Sequence, residues 1–183
     1  MPTKTETMQD MVERARAGDR DAFDYIIMRF ETMILKTALY LLRNQNDARD
    51  VAQEVYIKIF RNLHTCRDID GIEHWIYRIT VNAARDFQRG RKFFQPLAKI
   101  VRGVKPRDPV VRNEIRTRLT EALELLSFNE RTVFIFKALE EMETSVIARI
   151  LGCREVTVRS HLHSARKKLQ KHFRDFEDMS WTD

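Results

Sequence analysis

The sequence has few of the residues from which disulfide frameworks, metal centres and phosphate-binding loops are built. Its two cysteines, Cys66 and Cys153, lie far apart and form no CxxC pair, so we expect ordinary, partly buried thiols and no disulfide framework. The five glycines form no glycine-rich loop, and His161 and His163 are two residues apart on a predicted helix, where they point in different directions. No His or Cys group has the spacing of metal ligands, and we find no nucleophile–base arrangement. We therefore expect no metal, no cofactor and no enzymatic activity.

Long apolar runs are also missing. No segment approaches the roughly 18 apolar residues of a membrane span, and residues 1–6 are polar with no apolar run behind them. We therefore expect no membrane insertion and a cytoplasmic location. Acidic residues are outnumbered, because 33 Lys and Arg against 27 Asp and Glu give a net charge of +6. This balance favours a polyanionic partner but does not choose between nucleic acid and an acidic membrane surface.

Prolines are scarce and clustered. Three of the four fall within fourteen residues, at Pro96, Pro106 and Pro109. Because proline is excluded from helix interiors, this cluster predicts a domain boundary. Elsewhere apolar residues recur at helical spacing. We predict an all-α chain of two small helical domains, residues 1–92 and 112–183, joined by a flexible linker over residues 93–111. The linker is basic and partly apolar, so we expect it to dock on another surface.

The C-terminal domain contains the pattern of a helix-turn-helix. A capping box at Ser127 and Glu130 opens one helix, and a short helix from Thr144 or Ser145 ends at Gly152, because glycine takes the left-handed conformation without steric cost. A longer helix follows whose outward face is basic, with seven Lys or Arg and a single acid between residues 154 and 174. A basic amphipathic helix is commonly only a solvated face. The short helix, the glycine turn and the basic helix together favour entry into a DNA major groove.

The predicted third helix, residues 47–63, presents an acidic and amide-rich face. Asn46 or Asp47 is expected to cap it. Its outward residues are Asp47, Asp50, Gln53, Glu54, Ile57, Lys58 and Arg61. The helix dipole alone could explain acids in the first turns. An exposed Ile57 among polar side chains is instead typical of a protein-binding patch.

The predicted fourth helix, residues 71–91, mixes arginine with aromatic residues. Between residues 77 and 107 the chain has nine Lys or Arg and a single acid, Asp86. The aromatic residues Trp75, Tyr77, Phe87, Phe93 and Phe94 are interleaved with Arg78, Arg85, Arg89, Arg91 and Lys92. Positive charge with aromatic rings available for stacking favours the binding of a single nucleic-acid strand. The alternative is that the aromatic residues belong to the core, and Trp75 fits that alternative.

Three segments, in this order along the chain, resemble those of bacterial sigma factors. Residues 47–56, DARDVAQEVY, resemble the D-A-x-D-x-x-Q-E-x-F run of that family. Residues 75–86, WIYRITVNAARD, resemble its W-L-Y-R-I-A-x-N-x-x-x-D helix, and residues 128–169 its C-terminal helix-turn-helix. A short chain of two helical domains without an extra middle domain is similar to the extracytoplasmic-function (ECF) group.

The resemblance implies a sigma factor that binds core RNA polymerase and directs promoter-specific transcription initiation by recognising −10 and −35 elements, with an anti-sigma factor as a further partner. The residues implied to bind core polymerase are Asp47, Asp50, Gln53, Glu54, Ile57 and Lys58. Those implied to bind the −10 strand are Trp75, Tyr77, Arg78, Asn82, Arg85, Asp86, Arg89 and Arg91, with Asn82 and Asp86 reading bases. Those implied to bind the −35 element are Arg154, Thr157, Arg159, Ser160, His161, His163, Ser164, Lys167 and Lys168.

The sequence departs from the family pattern around the start of the recognition helix. Arg154 replaces a usual serine or proline, Val156 a common glycine, and His161 and Ser164 common arginines. Because arginine is the usual bidentate partner of guanine, we expect a different or less guanine-rich −35 element. The alternative function is a stand-alone helix-turn-helix regulator whose N-terminal domain senses a ligand or pairs protomers. An enzyme acting on nucleic acid is a third and less favoured alternative.

Overall fold

The computed structural model describes residues 6–69, 71–98 and 122–179, and all regular secondary structure within these ranges is helical. The α-helices are α1 (Met8–Arg16), α2 (Arg20–Leu42), α3 (Gln45–Asn62), α4 (Ile72–Ala98), α5 (Phe128–Ala138), α6 (Thr144–Leu151) and α7 (Glu155–Met179). A 3₁₀ turn, Leu63–Thr65, follows α3, and residues 122–124 are helical. The prediction of an all-α fold is confirmed.

The chain divides into two compact units, with the division between Gln88 and Arg89. Helix α4 runs to Ala98, so the predicted helix end at Arg91 is wrong, and the first residues of the predicted linker are helical. Pro96 lies in the last turn of α4, where it has no N–H to donate to the carbonyl four residues earlier. The rest of the predicted linker, residues 99–111, lies outside the described ranges.

In the first unit, α2 packs against both α1 and α3. The core of this unit is formed by fully buried aliphatic side chains, among them Val12, Ile26, Ile34, Leu41, Val51, Val55 and Ile59. Asn44 lies between α2 and α3 and caps the start of α3. Its side-chain oxygen accepts hydrogen bonds from the Asn46 and Asp47 N–H groups at 2.9 and 3.1 Å. The cap of α3 is therefore Asn44 rather than the predicted Asn46 or Asp47.

In the second unit, both local predictions at helix ends are confirmed. The Ser127 N–H donates to Glu130 Oε2 at 2.8 Å while the Glu130 N–H donates to Ser127 Oγ at 3.4 Å, forming the predicted capping box. Gly152 ends α6 in the left-handed conformation with φ 64°. The neighbouring Cys153 N–H donates to the Ala148 carbonyl at 3.0 Å and closes the turn into α7.

The core of the second unit joins α7 to the residues that precede α5. Ala122, Leu123 and Leu126 form one buried cluster with Ala165 and Leu169. The guanidinium of Arg131, which is only 2% exposed, donates to the carbonyls of Leu123 and Leu126 at 3.0 and 2.9 Å. It thereby ties α5 to the segment that precedes it, where the Leu123 carbonyl also accepts from the Leu126 N–H at 3.4 Å.

Candidate nucleic-acid interface

Helix α7 has one buried face and one exposed face. Val158, Ala165 and Leu169 are buried. The exposed face, which we call the α7 stripe, consists of Val156, Arg159, Ser160, His163 and Lys167. Arg159 and Ser160 are adjacent, and the other steps along the stripe are three or four residues, so all five side chains share one side of the helix. A short helix, a glycine turn and this long basic helix form the predicted helix-turn-helix.

Arg159 has an acidic neighbour on the same helix. Its Nη2 donates to Glu155 Oε2 at 2.9 Å, one helical turn earlier. Both side chains are exposed, at 67% and 45% respectively. An exposed pair of this kind contributes only about 0.3–0.5 kcal/mol, so Arg159 is able to exchange its carboxylate partner for another acceptor.

Ser164 and Lys168, both predicted to bind the −35 element, hydrogen-bond to protein in this structure. Ser164 Oγ donates to Glu130 Oε1 at 2.5 Å, and Lys168 Nζ donates to Glu130 Oε2 at 2.7 Å. The same carboxylate completes the capping box with Ser127, so it connects the start of α5 to the middle of α7. We do not count these two residues in the α7 stripe. The Lys168 side chain is 43% exposed and its ammonium has further donors, so a role for either residue in DNA binding stays a prediction.

The Glu130 carboxylate is nearly buried, with 7% of the residue exposed. Burial raises the pKa of this carboxyl. Hydrogen bonds from Lys168, Ser164 and the Ser127 N–H outweigh burial, and they lower the pKa from 4.5 to about 2. Glu130 is therefore ionised throughout the physiological pH range, with donors for both oxygens. Sequence reasoning recognised Glu130 as a cap but missed the link to α7, since those partners lie 34 and 38 residues away.

The other residues predicted to bind the −35 element lie at the edges of the α7 stripe. Arg154 is exposed in the turn before α7. Thr157 and His161 are half-buried on α7. A role for these three in DNA binding stays a prediction.

Helix α4 also presents an exposed polar face. We call Arg78, Asn82, Arg85, Asp86 and Arg89 the α4 ridge, because they recur on one side of the helix. Four of them are exposed and Arg85 is half-buried. Arg85 Nη1 donates to Asn82 Oδ1 at 3.3 Å. Five of the predicted −10 residues therefore lie together on the α4 ridge. The two aromatic ones, Trp75 and Tyr77, do not belong to it, and Arg91 lies on α4 outside the range of described side chains.

Tyr77 is buried, with 2% of the residue exposed, so the prediction that it contacts DNA is wrong. Its neighbours on the buried face of α4 include Ile76, Thr80, Val81 and Ala84. Ile79, on the same helix, is only half-buried. Trp75, also predicted to bind the −10 strand, is half-buried at the edge of the face.

The loop before α4 is held by hydrogen bonds to its backbone. Arg16 in α1 donates to the carbonyls of Leu63 and Cys66. The Cys66 thiol donates to the Asp68 carbonyl at 3.4 Å, and burial raises the pKa of this thiol. Asp68 Oδ1 accepts from the Gly71 N–H at 2.9 Å, directly before α4 begins. These contacts fix the direction in which the chain enters helix α4, which carries the α4 ridge.

Helix α3 presents the predicted acidic and amide-rich face with one correction and one addition. Asp47 is buried, with 7% of the residue exposed, because α3 begins at Gln45 and the first turn lies against the unit. Phe60 is 64% exposed and was missed, although it lies three residues after the exposed Ile57 on the same helix. We call the exposed residues Asp50, Gln53, Glu54, Ile57 and Phe60 the α3 patch.

Two contacts organise the α3 patch. Lys58 Nζ pairs with Glu54 Oε1 at 2.7 Å, so the predicted polymerase-binding Lys58 lies beside the patch and is half-buried. The ring of Phe60 packs edge-on against Phe23 of α2, with 5.2 Å between ring centroids. Aromatic packing therefore orients Phe60 while leaving most of its surface open to a partner.

Two kinds of site are not found among the residues that the structure describes. In that part of the chain, no group of three or more His, Cys, Asp or Glu side chains could hold a metal ion. No described helix is long and apolar enough to cross a membrane.

Comparison with known proteins identifies the family. The model described as Sigma-70 region 2 matches residues 26–94, and the model described as Sigma-70, region 4 matches residues 116–169. The RNA polymerase sigma-H factor of Pseudomonas aeruginosa is 29% identical over 180 residues, covering 91% of this chain and 93% of that protein. The ECF RNA polymerase sigma factor SigW of Bacillus subtilis is 28% identical, covering 90% of this chain and 95% of that protein.

The chain is a sigma factor of the ECF group. The resemblance seen in the sequence is thus confirmed. The function of this protein is to direct transcription to promoters. Sigma factors are non-enzymatic initiation factors. The region 2 match spans α3 and α4, which leaves little support for a regulator with an unrelated N-terminal sensing domain.

Solved structures agree with the fold of this sigma factor. CnrH, in complex with the cytosolic domain of CnrY, superposes with a TM-score of 0.66 at 22% identity, covering 90% of this chain and 96% of that chain. The sigma factor RpoE of Bartonella quintana, in complex with the anti-sigma factor NepR, gives 0.64 at 19% identity, covering 83% and 96%.

Proposed function

We propose that this sigma factor binds core RNA polymerase through the α3 patch and binds promoter DNA through the α4 ridge and the α7 stripe. The observation that carries the proposal is that each helix has a buried face for its own unit and an exposed face of distinct chemistry. The α3 patch is acidic and apolar, the α4 ridge is mainly basic, and the α7 stripe is basic with hydrogen-bonding side chains. These chemistries suit a protein, a single strand and a duplex groove respectively.

The α3 patch suits a protein partner because apolar and charged groups alternate within it. Ile57 and Phe60 are 51% and 64% exposed, which supplies apolar area at its centre. Asp50 and Glu54 add negative charge beside this area. Apolar anchors surrounded by polar groups are typical of residues that contribute most to binding energy at protein interfaces. We infer that the polymerase surface facing the patch is basic around an apolar centre.

The α4 ridge suits the −10 strand because it combines phosphate-binding and base-reading groups. Arg78, Arg85 and Arg89 are seven and four residues apart, about two turns and one turn, so they share one side of α4. Arginine side chains bind phosphates and fix the register of the strand, whereas the amide of Asn82 and the carboxylate of Asp86 discriminate base edges. We expect substitutions of the arginines to weaken binding generally and substitutions of Asn82 or Asp86 to change base preference.

The α7 stripe suits a −35 duplex because its first turns carry Arg159 and Ser160 and its later turn carries Lys167. Residues near the start of a recognition helix contact base edges, and later residues contact the phosphate backbone. Arg159 is thus assigned to base reading and Lys167 to phosphate binding. The Glu130 link keeps α7 fixed against α5 during this contact.

We further infer an anti-sigma factor as a partner, because the similar structure of RpoE is a complex with the anti-sigma factor NepR. We also infer a cytoplasmic location, where polymerase and promoters are found, and no catalysis by this chain itself.

The test of the polymerase surface is a charge reversal on the α3 patch. Asp50→Arg combined with Glu54→Arg should abolish co-elution with core RNA polymerase, because both changes place positive charge opposite a basic surface. A matched control reverses two exposed acids on other helices of the same unit, Glu13→Arg with Glu31→Arg, and should retain co-elution. Retained polymerase binding in the α3 variant would refute the assignment of this patch.

A further inference from the structure

We propose that Val156 is a specificity-determining residue that contacts the C5-methyl group of a thymine in the −35 element. This inference rests on the proposed entry of α7 into the major groove. It adds an apolar contact to a surface that sequence reasoning had described by its charged and polar side chains alone.

Val156 is unusually exposed for an apolar residue of the second unit. Its exposed fraction is 61%, against 46% for Leu125, 43% for Phe173 and 38% for Leu139. It therefore makes little contribution to the core that holds α7 in place. A β-branched residue also has a lower helix propensity than alanine. Neither the packing of the fold nor the stability of the helix explains a valine at this position.

Val156 lies on the same side of α7 as the residues assigned to the groove. Arg159, Ser160 and His163 follow it by three, four and seven residues, so all four side chains lie on one side of the helix. The opposite side holds the buried Val158 and Ala165. Val156 is the second residue of α7, in the turn that approaches base edges most closely in a helix-turn-helix.

The chemistry of the major groove restricts what an aliphatic side chain can recognise there. Each base presents donors or acceptors at its edge, and the C5-methyl of thymine is the apolar group among them. Valine has no donor or acceptor, so against guanine, adenine or cytosine it would cover polar atoms without replacing their hydrogen bonds to water. A thymine at the position facing Val156 is the base that this side chain favours.

The test replaces single thymines by deoxyuridine, which lacks the methyl group and keeps base pairing. The probe is the duplex that the sigma factor–core polymerase holoenzyme enriches from a pool randomised across the −35 positions. We expect deoxyuridine at one thymine to weaken holoenzyme binding about four-fold, the factor for burying one methyl-sized group. With Val156→Ala, whose shorter side chain withdraws from the thymine methyl, the same replacement should have a clearly smaller effect. Val156→Thr keeps one of the two methyl groups and should retain part of the effect.

Three further outcomes separate this inference from the proposed function. If Arg159→Ala and −35 base-pair changes weaken binding, but deoxyuridine acts equally on the wild type and Val156→Ala, the thymine contact is refuted while the assignment of α7 stands. If Arg159→Ala and base-pair changes also have no effect, the assignment of α7 itself fails. If Val156→Ala weakens binding to a protein partner and leaves the deoxyuridine effect unchanged, the exposed valine serves that partner and the inference is overturned.

Discussion

Replacing Glu130 by glutamine is expected to loosen the second unit without affecting the first. The carboxylate accepts hydrogen bonds from Ser127, Ser164 and Lys168, and its pKa is lowered to about 2. The difference from the ordinary value of 4.5 corresponds to about 3 kcal/mol of preference for the charged form. Lys168 is 43% exposed and regains water when its partner is neutral, so we expect a loss of about 2 kcal/mol.

Amide hydrogen exchange in the full chain measures this loss locally. A decrease of about 2 kcal/mol in local opening free energy accelerates exchange about 30-fold, and the acceleration should appear in α5 and α7. Amides of α2 and α3 belong to the other unit and should exchange at the wild-type rate. Glu141→Gln, at an exposed acid of the second unit, is the matched control and should leave all rates unchanged.

The pH dependence provides an independent check with a defined sign. The pKa of Glu130 is lower in the folded protein than in the unfolded chain, so its contribution to stability is complete above about pH 4.5. It decreases as pH falls towards about 2. Glutamine has no carboxyl to protonate, so Glu130→Gln should not show the loss of stability between about pH 4.5 and about 2 that comes from Glu130 in the wild type. Unchanged exchange in α5, or an acid response identical to that of the wild type, would refute the assigned role of the carboxylate.

Four other substitutions follow from the structure. Tyr77→Ala should destabilise the first unit by about 3–5 kcal/mol, because it empties a buried aromatic site, and the thermal unfolding of that unit measures the loss. Asn44→Ala should cost about 1 kcal/mol in urea unfolding by removing the cap of α3. Arg159→Ala should reduce discrimination at one −35 base pair by about 1–3 kcal/mol. Lys167→Ala should instead weaken binding to all duplexes similarly, and the slope of log binding constant against log salt concentration should fall by about one, the loss of one phosphate contact. The Arg159 assignment fails if its loss is equal on unrelated DNA.

Features encoded by neighbouring residues were predictable from the sequence. The capping box at Ser127 and Glu130 joins residues three apart, and Gly152 ends α6 through its own backbone conformation. Both depend on local stereochemistry, which the sequence specifies directly. The helix-turn-helix could be predicted for the same reason, since its turn and its two apolar faces are local patterns.

Features that depend on tertiary packing were not predictable in the same way. Tyr77 could belong to either face of α4 until the rest of the unit selected which face is buried. Asp47 changed its environment because α3 starts two residues earlier than predicted. Ser164 looked like a DNA-facing residue because its partner, Glu130, lies 34 residues away along the chain. A helical pattern predicts a spacing, whereas the orientation of the helix is set by its neighbours.

Transcription with core RNA polymerase tests the central claim most directly. Purified protein would be combined with bacterial core polymerase and genomic DNA fragments, and the 5′ ends of the transcripts would be mapped. We predict start-site-specific transcription that depends on this protein, with a common pair of elements upstream of the mapped starts. Binding to DNA fragments without association with polymerase, or transcription with unchanged start sites, would contradict the claim.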